Sequence, residues 1–185
     1  MKTYSGLKTL FINANKQFLI DDADLFATGV SERTLCGALM LHINCLMKKD
    51  EELNGYYADV EYNRNRGNVK TLKKTIHGVE EQIIRINCDL IVHSRGKCIE
   101  QDNLIAIEMK KSNTPIEAKE KDKDRLKALT KDSFDDIWSF DGTTLPKYVC
   151  RYILGIYYEI NYRTKQILIE YYRQGELFEQ EIINF

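Results

Sequence analysis

The chain has 185 residues, of which 43% are hydrophobic and 30% charged, and its 27 basic and 28 acidic residues give a formal net charge of −1. This length predicts a single domain over residues 1–185, and the near-neutral charge excludes attraction of nucleic acid by the molecule as a whole. No apolar run approaches the roughly 18 residues needed to cross a bilayer. Residues 1–16 also lack the apolar stretch of a signal peptide. We therefore expect a cytoplasmic protein that does not associate with membranes.

The first predicted element is a helix over residues 32–48 with Ser31 as its N-cap. Its apolar residues recur at helical spacing: Leu35, Leu39, Ile43 and Leu46. Three strands are expected next, because runs of β-branched and aromatic residues alternate with polar ones. They cover residues 56–63, residues 83–93 and Asn103–Lys111, with a hairpin turn over residues 94–102.

A second helix has a clear start signal. Thr114 is expected at the N-cap, Pro115 at the first helical position and Glu117 at the third, which forms a capping box, and the helix should run to about Thr130. Its many charged residues indicate broad solvent exposure. A buried strand over residues 148–160 and a further strand at Gln166–Arg173 follow, and the last residues add a short strand.

Cysteines are odd in number and scattered, which favours free thiols in a reducing compartment: Cys36, Cys45, Cys88, Cys98 and Cys150. A zinc site is the alternative, built from His42, Cys45, Cys88, His93 and Cys98. No close Cys-x-x-Cys pair is present, so packing is favoured over zinc binding.

Alternation along the third strand places a carboxylate and an ammonium group on the same face. Glu108 and Lys110 share that face with Leu104 and Ala106. Folding the preceding hairpin about Cys98 brings Asp89 opposite Glu108. Two carboxylates at paired positions repel unless a positive charge lies between them, and a divalent cation such as Mg²⁺ provides one.

The first helix supplies another carboxylate, Glu32, which falls within the apolar stripe of that helix. A glutamate on a core-facing stripe is costly without a partner. Two explanations remain open at this point: membership of the same site, or favourable placement at the positive end of the helix dipole.

A basic segment lies between the first two predicted strands. No acidic residue occurs from residue 62 to residue 79, and five basic residues could contact phosphates: Arg64, Arg66, Lys70, Lys73 and Lys74. A solvated connection between strands is equally compatible with this composition. The row of Lys119, Lys123 and Lys127 on the second helix is better explained as a solvated face than as a phosphate track.

The series Glu32, Asp89 and Glu108-Met109-Lys110 resembles the PD-(D/E)XK nuclease superfamily, over roughly residues 31–160. The resemblance implies an α/β, restriction-endonuclease-like fold, with a central mixed β-sheet flanked by helices, an αβββαβ core and a C-terminal β-hairpin. Cys88 stands where the motif has proline.

By this resemblance, Asp89 and Glu108 would coordinate Mg²⁺, for which Mn²⁺ can substitute. Glu32 would ligate the metal directly or through water, and Lys110 would orient the attacking water. The expected activity is phosphodiester hydrolysis, with DNA favoured as substrate, in a homodimer or with a partner subunit. Two alternatives stay open: a catalytically silent module that binds nucleic acid or a protein, and a surface ion-pair cluster in which Lys110 only neutralises Glu108.

Overall fold

A computed structural model describes residues 1–62, 64–65, 68–69, 71–76, 80–85, 88–132 and 151–185, with only the backbone described between residues 64 and 85. The helices are α1 (Tyr4–Asp21), α2 (Ala23–Thr28), α3 (Glu32–Met47) and α4 (Ile116–Thr130), and a 3₁₀ turn covers Glu51–Leu53. The strands are β1 (Tyr57–Val60), β2 (Arg64–Asn65), β3 (Asn68–Val69), β4 (Thr71–Ile76), β5 (Glu80–Arg85), β6 (Leu90–His93), β7 (Asn103–Lys111), β8 (Leu154–Asn161), β9 (Gln166–Arg173) and β10 (Glu176–Asn184). The protein therefore has the expected α/β architecture.

One mixed sheet of six strands forms the centre, in the order β1-β6-β7-β8-β9-β10. Only β7 and β8 run parallel, and the other neighbours are antiparallel. The strands β1, β6 and β7 form an antiparallel meander. Helix α4 is the crossover that connects the parallel pair β7 and β8.

Two strand predictions are wrong in their extent. The strand expected over residues 83–93 is split: β5 ends at Arg85 and pairs with β4, whereas β6 begins only at Leu90. The strand expected over residues 56–63 ends at Val60, because Glu61 adopts a positive φ of 52° that interrupts extended backbone. The short hairpins β2–β3 and β4–β5 are therefore an insertion between two neighbouring strands of the sheet.

The last two predicted strands also differ from expectation. The strand placed over residues 148–160 begins at Leu154, and residues 148–150 lie outside the described part of the chain. Arg151 before it has a positive φ of 62°. The expected short C-terminal strand is the nine-residue β10, which pairs with β9 along its length apart from a β-bulge near Leu177.

The start of α4 corrects the predicted capping box. Pro115 occupies the N-cap position, and α4 has no side-chain cap hydrogen bond. The backbone N–H of Thr114 donates to the carbonyl oxygen of Lys111 at 3.0 Å, in the turn that follows β7. Helix α4 begins at Ile116, one residue later than predicted, and Glu117 closes no capping box.

Helices α1 and α3 cover one face of the sheet, and α1 was not expected from the sequence. The ring of Phe11 makes edge contacts with Tyr158 and Tyr171, at centroid distances of 6.4 and 6.1 Å. The Tyr158 hydroxyl donates to Asn15 Oδ1 at 2.9 Å. Large apolar side chains from α1 therefore form part of the main core rather than a peripheral layer.

Helix α4 covers the opposite face, and Gly155 of β8 sets its distance from the sheet. A methyl group on Gly155 would lie 2.9 Å from Thr130 Cγ2, 3.0 Å from Tyr172 Cβ and 3.6 Å from Leu126 Cβ. Only a residue without a side chain allows α4 to lie this close. As a result β7 is buried between helices on both faces.

Four cysteines are free thiols, as expected: Cys36, Cys45, Cys88 and Cys98. Cys150 lies outside the described residues. Among the described helices, none is both long and apolar enough to cross a membrane.

Candidate metal centre

The polar end of β7 brings a carboxylate and an ammonium to the α4 side of the sheet. Ile105, Ile107 and Met109 pack into the core under α1 and α3, whereas Ala106 packs in the cluster under α4. This alternation agrees with the face predicted for Glu108 and Lys110. Leu104 is an exception that packs on the α1 and α3 side, because the β6–β7 register shifts beside it.

Asp89 lies just before β6 and points at the same part of β7. Leu90 pairs with Ile107, so the hairpin register places Asp89 across from Glu108, as expected. The Asp89 Oδ2 atom accepts a hydrogen bond from the Met109 N–H at 2.8 Å. The carboxylate is therefore held at the strand although the residue lies outside β6.

The ammonium of Lys110 is surrounded by carboxylates from three other elements. Its Nζ atom is 3.0 Å from Asp122 Oδ2, 3.5 Å from Asp89 Oδ2 and 3.9 Å from Glu32 Oε2. It also donates to the Met109 carbonyl oxygen at 3.1 Å. Burial alone would lower the pKa of Lys110, but Asp89 and Asp122 outweigh it and raise that pKa above its ordinary value, so the ammonium stays charged.

Glu32 reaches this centre from the first turn of α3. Ser31 caps that helix by accepting a hydrogen bond from the Thr34 N–H, which fixes where the helix begins. Glu32 Oε1 accepts from the backbone N–H of Lys111 at 2.9 Å. Glu32 therefore links the start of α3 to the end of β7 through this hydrogen bond.

Glu108 is the most deeply buried carboxylate of the centre, with 1% of its surface exposed. Its Oε1 atom accepts a hydrogen bond from the Arg125 guanidinium at 2.5 Å. Burial raises the pKa of Glu108 to about 8; Arg125 opposes this shift, whereas Asp89 and Asp122 add to it. Near neutral pH, Glu108 therefore holds a proton unless further positive charge approaches it.

Two members of the centre were missed from the sequence: Asp122 and Arg125 of α4. The Asp122 side chain is only 8% exposed, and Arg125 contacts both Asp122 Oδ1 (3.0 Å) and Glu108. The sequence does contain a signal for Asp122. It lies four residues before Leu126 and seven before Leu129, which are both buried. It thus shares the buried helical stripe, as Glu32 does on α3.

The expected solvated face of α4 is wrong for two of its three lysines. Lys119 pairs with Glu159 of β8 at 2.8 Å, and Lys123 pairs with Glu170 of β9 at 2.8 Å. Both ammonium groups lie against the sheet, so they are not available to track a phosphate backbone. Lys127 remains 43% exposed.

The donor set fits a hard divalent cation. Glu32, Asp89, Glu108 and Asp122 supply carboxylate oxygens, and the basic groups among them are Lys110 and Arg125. Mg²⁺ prefers such oxygen ligands. Over the described residues, no three acidic, histidine or cysteine side chains already stand in metal-binding geometry. A cation held by Asp89, Glu108 and Glu32 would therefore need these three carboxylates to come closer together than they stand here.

The alternative zinc ligands are not brought together among the described residues. His42 Nε2 contacts Asp22 at 2.7 Å, and His93 Nε2 contacts Asp59 at 3.0 Å. Cys88 lies in the core under α4.

The basic segment is only partly described. Arg64 lies in β2, and Lys73 and Lys74 lie in β4, whose backbone runs beside α4. Arg66 and Lys70 lie outside the described residues, as do the side chains of the other three. Phosphate contact by this segment therefore stays a prediction.

The centre thus combines six charged side chains from α3, the β6–β7 hairpin and α4. Its chemistry has to be inferred from these residues themselves. Comparisons of the chain with protein family models, with curated proteins and with solved structures find no match.

Proposed function

We propose that the protein is a metal-dependent nuclease that hydrolyses phosphodiester bonds, with DNA as the expected substrate, on a restriction-endonuclease-like fold of the PD-(D/E)XK type. One observation carries the proposal. The Lys110 ammonium lies 3.0–3.9 Å from carboxylates of Glu32, Asp89 and Asp122, beside the buried Glu108. The ion-pair alternative is weaker, because a structural ion pair needs only one carboxylate and Lys110 has three within 4 Å.

Asp89, Glu108 and Glu32 would hold Mg²⁺, or Mn²⁺ in its place. When bound, the cation would neutralise charge on the scissile phosphate and lower the pKa of a water molecule. Lys110 would orient that water and stabilise negative charge that develops on the phosphate. Because burial raises the pKa of Glu108 to about 8, a cation that binds this carboxyl group near neutral pH would have to displace its proton.

The substrate is expected to reach the centre on the α4 side of the sheet. The face of β7 that carries Glu108 and Lys110 points there, and the backbone of β4 with Lys73 and Lys74 runs beside α4. Phosphate contacts from this strand would offset the lack of an overall positive charge. A homodimer or a partner subunit is proposed to supply further substrate-binding surface.

A second candidate is a catalytically silent member of the same fold that binds nucleic acid or a protein. Two observations favour it. Arg125 already contacts Glu108 at 2.5 Å, and no three candidate ligands among the described residues stand ready for a metal. The presence of Lys110 among the carboxylates argues for the enzyme, since binding alone does not require that ammonium.

A cleavage assay separates the two candidates. The protein is incubated with single- and double-stranded DNA and with RNA, in Mg²⁺, Mn²⁺ or EDTA. Lys110→Met and Glu108→Gln should abolish cleavage, while the matched variants Lys127→Met and Glu117→Gln on exposed positions of α4 should retain it. Cleavage that survives both site substitutions would overturn the assignment of the centre. A wild-type protein that cleaves none of these substrates and binds neither ion by calorimetry would support the silent module.

A further inference from the structure

Four ionisable side chains of the centre form a chain of contacts between β7 and α4. Arg125 contacts Glu108 at 2.5 Å and Asp122 at 3.0 Å, and Asp122 contacts Lys110 Nζ at 3.0 Å. Glu108 and Lys110 are two residues apart on the strand, whereas Asp122 and Arg125 are three residues apart on the helix. Each element thus places its acidic side chain against the basic side chain of the other.

The distance between side chains within each element explains why the strand pair and the helix pair can contact each other. Residues i and i+2 of a strand lie on one face about 6.5 Å apart, and residues i and i+3 of a helix have Cβ atoms about 5–6 Å apart. Two side chains from each element can therefore meet without distortion. The close approach of α4 at Gly155 keeps these distances short.

Burial makes Asp122 unusual among the acidic residues of α4. Its side chain is 8% exposed, against 40% for Asp124 two residues later. Its Oδ2 atom is buried and lies 3.0 Å from the Lys110 Nζ atom. A buried ion pair of this kind often adds little to stability compared with neutral side chains of similar size. A role in setting the position of Lys110 accounts for the arrangement better than a contribution to folding.

We infer that Asp122 is a positioning residue that holds the Lys110 ammonium in place for catalysis, while Arg125 ties Asp122 to Glu108. The inference rests on the proposed nuclease function. It assigns to α4 a part in the centre that the Glu-x-Lys motif alone does not include. Asp122 acts through Lys110 and contacts neither substrate nor reacting atoms.

Two readouts test the inference in Asp122→Asn, with Asp124→Asn as the matched control on the same helix. The first is the proton–nitrogen correlation signal of the Lys110 ammonium, assigned by its loss in Lys110→Met. We expect it to be visible in the wild type and in Asp124→Asn, and lost or shifted in Asp122→Asn. The second is steady-state cleavage: kcat should fall by about 10- to 100-fold, as for small misplacements of a catalytic group, with KM close to the wild-type value. Cleavage is measured at a temperature where circular dichroism shows each variant to be folded, because breaking a buried ion pair also lowers stability.

The outcomes separate this inference from the proposed function. An unchanged ammonium signal together with a kcat within about twofold of wild type would overturn the role of Asp122 while leaving the nuclease proposal intact. A wild-type protein without cleavage would overturn the nuclease proposal, and catalytic positioning with it. If Asp122→Asn does not fold, Asp122→Ala replaces it, since alanine is the residue most favourable to a helix.

Discussion

Raising the pH of the metal-free protein is expected to destabilise it through the buried carboxyl group of Glu108. Burial raises the pKa of this group from 4.5 to about 8, despite the opposing effect of Arg125. Between these values the folded state retains a proton that the unfolded chain has released. The stabilising contribution of that proton is therefore fully present below pH 4.5 and is lost as the pH rises through 8.

The size of the effect follows from the difference between the two pKa values. Each unit is worth about 1.4 kcal/mol, so the free energy of unfolding should fall by about 3–4 kcal/mol between pH 5 and pH 8 on account of Glu108. Urea unfolding in EDTA, followed by circular dichroism at half-unit pH steps, measures this change. Glu108→Gln is the matched variant, since it keeps the size of the side chain and removes its titration.

The difference between wild type and Glu108→Gln isolates this group from the others that titrate in the same range. A difference that stays constant within about 1 kcal/mol, less than one unit of pKa, from pH 5 to pH 8 would refute the reasoning. Adding Mn²⁺ at pH 8 should restore stability to the wild type and less to Glu108→Gln, because a bound cation then replaces the proton on Glu108.

Two further predictions concern the packing of glycines in the fold and the exposure of its cysteines. Gly155→Ala should lower the free energy of unfolding by about 1–3 kcal/mol, because its methyl group would meet Thr130 at 2.9 Å. Gly37→Ala in α3, where the methyl group meets nothing within 4 Å, should instead raise it by up to about 1 kcal/mol; equal losses in urea denaturation would contradict this account. In the native protein an aromatic disulfide reagent should react with the exposed Cys45 and not with Cys36, whose pKa burial raises. Cys45→Ser should then lose the fast phase of labelling, and native labelling of Cys36 at a comparable rate would contradict the structure.

Elements with regular alternation could be predicted closely from the sequence. β7 and β9 have the predicted bounds, Asn103–Lys111 and Gln166–Arg173, and α3 ends one residue before the predicted helix does. The approach of Asp89 to Glu108 followed from the hairpin register alone, because antiparallel pairing fixes which residues face each other. Local patterns thus sufficed where partners are separated by a single turn.

Helix α1 could not be predicted from its local pattern, although that pattern contains part of the signal. The buried residues Leu7, Phe11 and Phe18 of α1 do recur at helical spacing, but Asn13 and Asn15 between them are weak helix formers that dilute the signal.

The charged face of α4 was expected in water because charged residues are seldom buried. Lys119 and Lys123 instead meet Glu159 and Glu170, which come 40 and 47 residues later in the chain. For the same reason the burial of Asp122 was not predicted, although this residue lies on the buried stripe of its helix.

The contacts of α1 have a consequence for biosynthesis. Its side chains reach the opposite end of the chain: Tyr4 and Lys8 contact Glu179, and Asn15 accepts from Tyr158. At 5–20 residues per second, these partners emerge from the ribosome roughly 7–35 s after α1. During that time the apolar face of α1 lacks the strands that cover it. Native packing must therefore wait until β8, β9 and β10 are made, which favours slow folding and engagement of a chaperone by the nascent helix.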